Sequence, residues 1–334
     1  MIEILDTAPL SSVQDGGRIP YLRYGVSYSG AMDRLALLGG NALLGNAEDM
    51  AVIEIQAFPC RLRFTEALDF ALTGADCAAT LDGAPVLPWW ARPAAAGAVL
   101  TLTAPRRGAR AYLAVAGGVD VPVVLGSRST QFRGAFGGHE GRNLQAGDRL
   151  PAGPSRQGGI AGAGLGAEPP ELALAADWAP PDLPAGTTAV RVLPAGEYDL
   201  FTEEAVRSFW ATGWKVTGQS NRAGFRLAGP ALAFARRVEM RSHGIVPGVV
   251  QVPPSGEPII QLSDAHTAGG YPKIGTVIEA DLWRLAQAPL GSRLRFVPVD
   301  YKGGLAALRE AAAWAASLRR LARLHHGLAA GGRA

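Results

Sequence analysis

Short apolar runs that alternate in period two, each closed by glycine or by an Asp-Gly pair, recur along most of this chain. A sequence punctuated in that way cannot be built mainly on long helices. Asp69-Phe70-Ala71-Leu72-Thr73 leads through Gly74, and Thr80-Leu81-Asp82-Gly83-Ala84 carries the Asp-Gly pair of a tight hairpin. Val99 to Thr103 alternates and is followed, after Pro105 to Gly108, by Ala109 to Val115, which predicts a second hairpin. Ala189 to Leu193 and Arg293 to Val297 repeat the pattern. With 43 glycines and 24 prolines, turns are frequent, and the spacing favours barrels or sandwiches over a βαβ succession.

Four helices are expected. Met32 to Leu44 places Met32, Leu35, Ala36, Gly39, Ala42 and Leu43 on one face, weakened by Gly39-Gly40. Thr202 caps Glu203 to Trp210, with two carboxylates at the positive end. Glu279 to Gln287 is the third. Leu305 to Leu328 is the last, with Leu305, Leu308, Ala312, Leu318, Leu321 and Leu328 on one side. Its Arg319, Arg320 and Arg323 form either a solvated basic face or a contact for an acidic partner.

The 334 residues accommodate one large domain or two ordinary ones, and 48% hydrophobic content is enough for a core. Composition divides them into a β-rich first half (1–150), an Ala/Gly/Pro-rich connection (151–188), a second β-rich half (189–300) and a basic C-terminal helix and tail (301–334). A net charge of +3, from 32 basic and 29 acidic residues, is too even for a nucleic-acid partner. Cys60 and Cys77 are the only cysteines, without histidine clusters or paired spacing, so no metal site and no disulfide framework is expected. The acidic start Met1 to Asp6 is unlike a secretory leader, and no run approaches the roughly 18 apolar residues of a membrane span. A cytoplasmic chain with no membrane contact is the expectation.

Four segments could carry chemistry. Val13-Gln14-Asp15-Gly16-Gly17-Arg18, with Ser29-Gly30-Ala31-Met32-Asp33, sets a carboxylate and a guanidinium among flexible glycines. That combination suits an amide or carboxylate ligand, or equally a turn in which Asp15 bonds its own backbone. Gly126 to Thr130, with Arg128 and Ser129, and Phe136 to Arg142 offer hydroxyl and backbone donors, and His139 there reads as a solvated loop residue. Ser220 to Leu227 presents Arg222 at the mouth of a strand, as a substrate clamp or as a surface turn.

The densest stretch runs from Val246 to Gly275. It includes Gln251, a strand end at Ile259 to Ser263, then Asp264, His266, Thr267, Gly269, Gly270, Tyr271 and Lys273. Asp264 or His266 can handle a proton, and Lys273 can stabilise negative charge on oxygen. No Gly-x-x-x-x-Gly-Lys-Ser/Thr loop and no Gly-x-Ser-x-Gly elbow occurs.

These segments, in this order, resemble the biotin-dependent carboxyltransferase family, subdomains A and B, also called allophanate hydrolase subunit 2. The resemblance is carried by Val13–Arg18, Ser29–Asp33, Ile53-Glu54, Thr73–Asp76, Ala111–Asp120, Gly126–Thr130, Gly147-Asp148, Ser220–Gly229, Val246–Gly256 and Ser263–Gly275. It implies a mainly β fold of two cyclophilin-like β-barrel halves with a few short helices and a C-terminal helix. It further implies ATP-dependent opening of 5-oxoproline to glutamate, with a subdomain C/D-type (B-like) subunit and an A-like subunit. The ATP is used by the complex, in a subunit the resemblance leaves open. On that reading Asp264, His266 and Lys273 are the catalytic candidates. Gln14, Asp15, Arg18, Ser29, Asp33, Arg128, Ser129, Arg222, Gln251, Thr267, Gly269, Gly270 and Tyr271 would bind the small amide substrate.

The alternative the family offers is a carboxyltransferase component of a biotin-dependent urea or amide carboxylase. Its biotin would come from a partner, because no Met-Lys-Met carrier motif is present. A regulatory partner of a kinase inhibitor is the third. The sequence departs from the family pattern at His266, where Gln is usual, at Ala268, where Thr is, and at His243, often acidic or otherwise polar.

Overall fold

The computed structural model describes residues 1–155, 159–160, 164–174, 176–236 and 239–331, with side chains to residue 327. Part of the 151–188 connection and the last three residues of the tail therefore lie outside the described residues. Compactness groups the chain differently from composition. Unit 1 comprises Met1–Arg18, Ser29–Leu174 and Ala312–Ala334, and unit 2 comprises Ile19–Tyr28 and Ala175–Ala311.

Unit 1 is two six-stranded sheets. The first sets Ile2–Thr7 beside Arg149–Leu150 and Cys60–Phe64, and continues through Val99–Leu102 to Thr80–Leu81 and Ala84–Pro85. The second orders Leu165–Gly166, Trp90–Ala94, Leu68–Asp76, Arg107–Val115, Val52–Ile55 and Ser12–Gln14. Ile2, Ile4, Leu62, Phe64, Leu100 and Leu102 from one sheet meet Ile53, Ile55, Phe70, Leu72, Leu113 and Val115 from the other in one core. Strand alternation then sends Ala71, Tyr112 and Ala114 to the opposite face of the second sheet.

That face is covered by helix α1 (Arg34–Leu43). The helix starts after Asp33, whose carboxylate accepts from Ala36 N–H at 2.9 Å, so Met32 stands outside it. Gly39 and Gly40 serve close packing. A Cβ at Gly39 would come within 2.4 Å of the Trp89 ring, and one at Gly40 within 3.1 Å of Ala114.

The Asp82-Gly83 turn forms as expected, both residues in the left-handed region (φ 50° and 84°) and Leu81 paired with Ala84. The second expected hairpin does not form. Val99–Leu102 pairs with Cys60–Phe64 and Thr80–Leu81, while Arg107–Val115 pairs with Leu68–Asp76 and Val52–Ile55 in the other sheet. The intervening residues are bonded back to Asp76 and Cys77, through Arg106 N and Thr103 N, so the connection crosses between sheets.

Unit 2 closes on itself. Its barrel runs Thr187–Pro194, Lys273–Val277, Val249–Gln251, Ile259–Gln261, Gly224–Ala228, Gly213–Val216 and Arg293–Pro298, the last returning to the first in parallel register. Val190, Val192, Phe225, Val250, Ile260 and Phe296 are fully or almost fully buried. The short α2 (Pro170–Ala173) belongs to unit 1. In unit 2, α3 (Glu203–Ala211) is capped by Thr202 and sets Phe209 against Phe296, ring centroids 4.7 Å apart. A short 3-10 turn, Glu279–Asp281, leads into α4 (Leu282–Ala286).

The last helix, α5 (Tyr301–Gly331), buries a different stripe from the leucines. Ala307, Ala311, Ala315, Leu318, Ala322 and His326 face inward, whereas Leu308 and Leu321 are exposed. Small residues spaced by three or four let the helix approach closely. Trp314 meets Trp89 edge to face at 5.7 Å, and His326 Nε2 lies 3.0 Å from Leu43 O. Arg319 is tied to Glu48, while Arg320 and Arg323 stay exposed. The Leu328 side chain lies outside the described residues.

Candidate functional site

The candidate residues fall into two clusters, one in each unit. In unit 1, Ser12–Gln14 ends at Asp15, a buried carboxylate wrapped by a loop. Its Oδ1 accepts from Ser129 Oγ at 2.5 Å, Ser127 Oγ at 2.6 Å and Gly17 N at 2.9 Å, and its Oδ2 from Arg128 N at 2.5 Å. Arg18, fully buried, donates to the carbonyls of Ser129 (2.6 Å) and Val124 (3.0 Å), with its guanidinium over Phe136. Gly137 is required beside it, since a Cβ there would lie 2.3 Å from Arg18 Nη2. The Arg128 side chain turns to Asp120 at 3.0 Å and to the Val121 carbonyl. Asp33 caps α1, and Ser29, with φ 53°, is fully buried in the loop whose Ala31 N–H binds Asp15 O at 2.9 Å. Gln14 Nε2 donates to Ser12 Oγ at 3.0 Å. The arrangement fastens loops to a sheet.

In unit 2 the charged groups pair with one another. Arg222, in the loop before Gly224–Ala228, donates from Nε to Asp264 Oδ2 at 2.8 Å and from Nη2 to Oδ1 at 3.3 Å. The backbone sets this pair, because Asp264 N–H binds Arg222 O and Gly224 is registered on Gln261. Lys273 stands opposite Gln251 on neighbouring strands, so both side chains leave the same face of the sheet. Lys273 Nζ meets Glu197 Oε1 at 3.0 Å and also touches His243 Nε2, while its N–H reaches Glu197 Oε2 at 3.2 Å.

Beside them lies an amide ladder: Gln261 Nε2 donates to Gln251 Oε1 at 3.1 Å, and Gln251 Nε2 donates to Tyr271 O at 3.2 Å. A two-stranded ribbon, His243–Gly244 on Ala268–Gly269, covers that ladder. A Cβ on Gly269 would stand 2.7 Å from Gln251 Nε2. Thr267 O accepts from Ile245 N in the ribbon, and Gly270 packs on Met240 O. His266 and Tyr271 are exposed at its edge.

Glu197, His243 and Gln261 complete this cluster, and the sequence did not mark them as site residues. His243 stood out only as a departure from the family pattern. Gln261 had a signal, as an amide ending the apolar Ile259-Ile260 strand. Glu197 had none, lying 76 residues from Lys273. A groove of about 400 Å³ on the same barrel, lined by Thr217, Arg226, Pro253, Ser255 and Glu257 among others, includes no residue of the cluster. Its ionisable lining is Arg226 and Glu257. Among the described residues no group of His, Cys, Asp or Glu is placed to hold a metal ion. No described helix is long and apolar enough to cross a membrane.

The closed β-barrel thus bears a covered amide wall and two pairs of opposite charges. The chain belongs to the carboxyltransferase domain family, subdomain A and B, which matches residues 24–298. It is 41% identical over 310 residues to the 5-oxoprolinase C subunit of Escherichia coli (strain K12), covering 93% of this chain and 95% of that one. It is 32% identical to the urea amidolyase of Lachancea kluyveri over 90% of its own length and 17% of that protein. The crystal structure of the Kluyveromyces lactis urea carboxylase superposes with a TM-score of 0.79 at 29% identity, over 94% of this chain and 29% of the larger one.

Proposed function

We propose that this chain is the C subunit of a 5-oxoprolinase, hydrolysing 5-oxo-L-proline to L-glutamate together with a B-like and an A-like subunit. The observation that carries the proposal is the 41% identity that extends across nearly the whole of both chains. The amide wall supports it, since Gln251 and Gln261 match the donor and acceptor of a lactam. On this reading Lys273 stabilises negative charge on the lactam oxygen, Arg222 orients the substrate carboxylate and Asp264 accepts a proton from water.

The chain carries no Gly-x-x-x-x-Gly-Lys-Ser/Thr loop to cradle a nucleoside triphosphate. We therefore assign ATP to a partner subunit and expect this chain to be inactive alone. Its two buried thiols, joined in no disulfide, suit a reducing cytoplasm.

The test is co-expression with the A-like and B-like subunits and assay of ATP-dependent glutamate release from 5-oxoproline. An assembled complex that releases no glutamate defeats the proposal. A second reading, transfer of a carboxyl group from carboxybiotin to a urea-type nitrogen, draws on the 32% identity to urea amidolyase. Turnover that requires a biotinylated carrier protein instead of the A-like subunit would favour it.

A further inference from the structure

The ribbon over Gln251 is held by little of its own. Its ladder joins two residues to two, His243 to Gly269 and Gly244 to Ala268, with one more bond from Ile245 N to Thr267 O. So short an antiparallel pair is not stable by itself in water. Two side-chain contacts among the described residues tie it to the barrel: Gln251 Nε2 donating to Tyr271 O at 3.2 Å just past the second strand, and the His243 ring on Lys273.

The hydrogen bonds of that ring fix its tautomer. Nδ1 lies 3.1 Å from the Arg241 carbonyl, which has no proton to give, so Nδ1 carries the hydrogen. Nε2 is then the lone-pair acceptor for Lys273 Nζ, whose other partner is Glu197. A protonated imidazole has no lone pair to offer and would set two cations against one carboxylate.

We propose that His243 is a proton-controlled latch: neutral, it holds the His243–Gly269 ribbon over the Gln251 amide by accepting from Lys273, and protonated, it releases the ribbon. It is a positioning residue, acting through Lys273 and the ribbon. Among the described residues the charged groups that meet the ring are Lys273 from the barrel strand and, through it, Glu197 from the turn before Tyr198–Leu200. Arg241 meets it with a backbone carbonyl, and the opposing Ala268–Gly269 strand brings no titratable side chain. Only the consequence for turnover rests on the function proposed above.

Hydrogen–deuterium exchange of the full chain, corrected for the intrinsic pH dependence, reads the latch directly. Protection of segments 243–245 and 266–271 is expected to fall about tenfold from about pH 8 to about pH 5 in the wild type. His243→Gln, whose amide oxygen accepts from Lys273 and does not titrate, should keep protection throughout, and His243→Lys should lack it throughout. Wild-type pH dependence in His243→Gln, or full protection in His243→Lys, overturns the proposal. In the reconstituted complex His243→Lys should raise KM about tenfold, and His243→Gln should restore it. A wild-type complex without 5-oxoprolinase activity would sink the functional reading and leave the exchange result standing.

Discussion

Asp15 in unit 1 accepts from two serine hydroxyls and two backbone N–H groups, whereas Asp264 in unit 2 is gripped by one side chain, Arg222. The same contrast separates the cations. Arg18 is spent on backbone carbonyls, while Lys273 is shared between the side chains of Glu197 and His243. A charge satisfied by the backbone is locked by the fold, and removing it leaves several buried donors unmatched. A charge satisfied by another side chain can change partner by rotamer motion when a ligand arrives. On the function proposed above, the polar cluster of unit 1 then serves shape and that of unit 2 serves chemistry.

Asp15→Ala tests the structural role of the unit 1 cluster and carries the largest expected effect. It strips the acceptor from four donors, and with about 1–3 kcal/mol per buried group left unpaired the expected loss is about 4 kcal/mol. Urea unfolding of the isolated chain measures it, and a loss under about 1 kcal/mol would show that the clamp is not structural. Lys273→Met is the converse. Glutamate release by the complex should drop about 100-fold or more, as when a group that meets developing negative charge is removed. Thermal stability of the chain should fall by less than in Asp15→Ala, because Glu197 keeps the Lys273 N–H as a donor at 3.2 Å and retains some solvent access. Full activity, or unfolding in place of inactivity, would erase the distinction between the units.

Legibility in the sequence followed the range of the interactions. The Asp82-Gly83 hairpin and the Thr202 cap were readable because turn and cap chemistry is settled within four residues, whereas the Asp33 cap was passed over with the helix start set at Met32. The supposed hairpin from Val99 to Val115 was not, since which sheet a strand joins is decided by partners such as Cys60–Phe64 and Leu68–Asp76. The candidate site divides in the same way. Residue types around Asp264 and Lys273 stand out in one dimension, but their partners Arg222, Glu197 and His243 are brought in from other strands and loops. Asp15, Arg18 and Ser129 stood out equally, because a loop clamp and a binding pocket draw on the same glycines, hydroxyls and charges.

A smaller effect separates two matching turns. Gly147-Asp148-Arg149-Leu150 and Gly291-Ser292-Arg293-Leu294 each start from a glycine of positive φ (94° and 86°), and each places a strand beside the first strand of its unit. In unit 1 the turn is pinned by Asp148, which takes Arg142 at 2.8 and 2.9 Å and Gln145 N at 2.8 Å. The Arg142 hydrogen bonds hold the Asp148 carboxyl below its ordinary value, outweighing burial. Its stabilisation is therefore complete above the usual carboxylate range and is lost as pH falls through the lowered value. In unit 2 Ser292 only bonds Pro289 O. Asp148→Asn should cost about 1–2 kcal/mol near neutrality and remove part of the acid sensitivity of unit 1. Superimposable acid-unfolding curves for wild type and variant would show that the pin is idle.

The smallest expected effect lies at the other end of the pH scale and uses the fact that both cysteines belong to unit 1. Cys60 and Cys77 are buried free thiols in its core. Burial pushes them up from the ordinary value of 9.0, to about 11 for Cys60 and about 12 for Cys77, where Asp76 adds to the shift. A raised thiol favours the neutral form in the folded state. Its contribution is whole below the unfolded value and is lost as pH climbs from about 9 towards the folded values. Folded protein at about pH 8 should thus resist a thiol reagent, and labelling should follow the opening of unit 1 alone. Tryptophan emission monitored in parallel reports both units, Trp89, Trp90 and Trp314 lying in unit 1 and Trp178, Trp210, Trp214 and Trp283 in unit 2. The part of its change that lags labelling therefore belongs to unit 2. If alkaline pH advances thiol labelling ahead of the fluorescence change, unit 1 carries a pH sensitivity that unit 2 lacks. Coincident transitions would instead mean that the units unfold as one, and the separate treatment of their polar clusters would have to be given up for stability while still holding for catalysis.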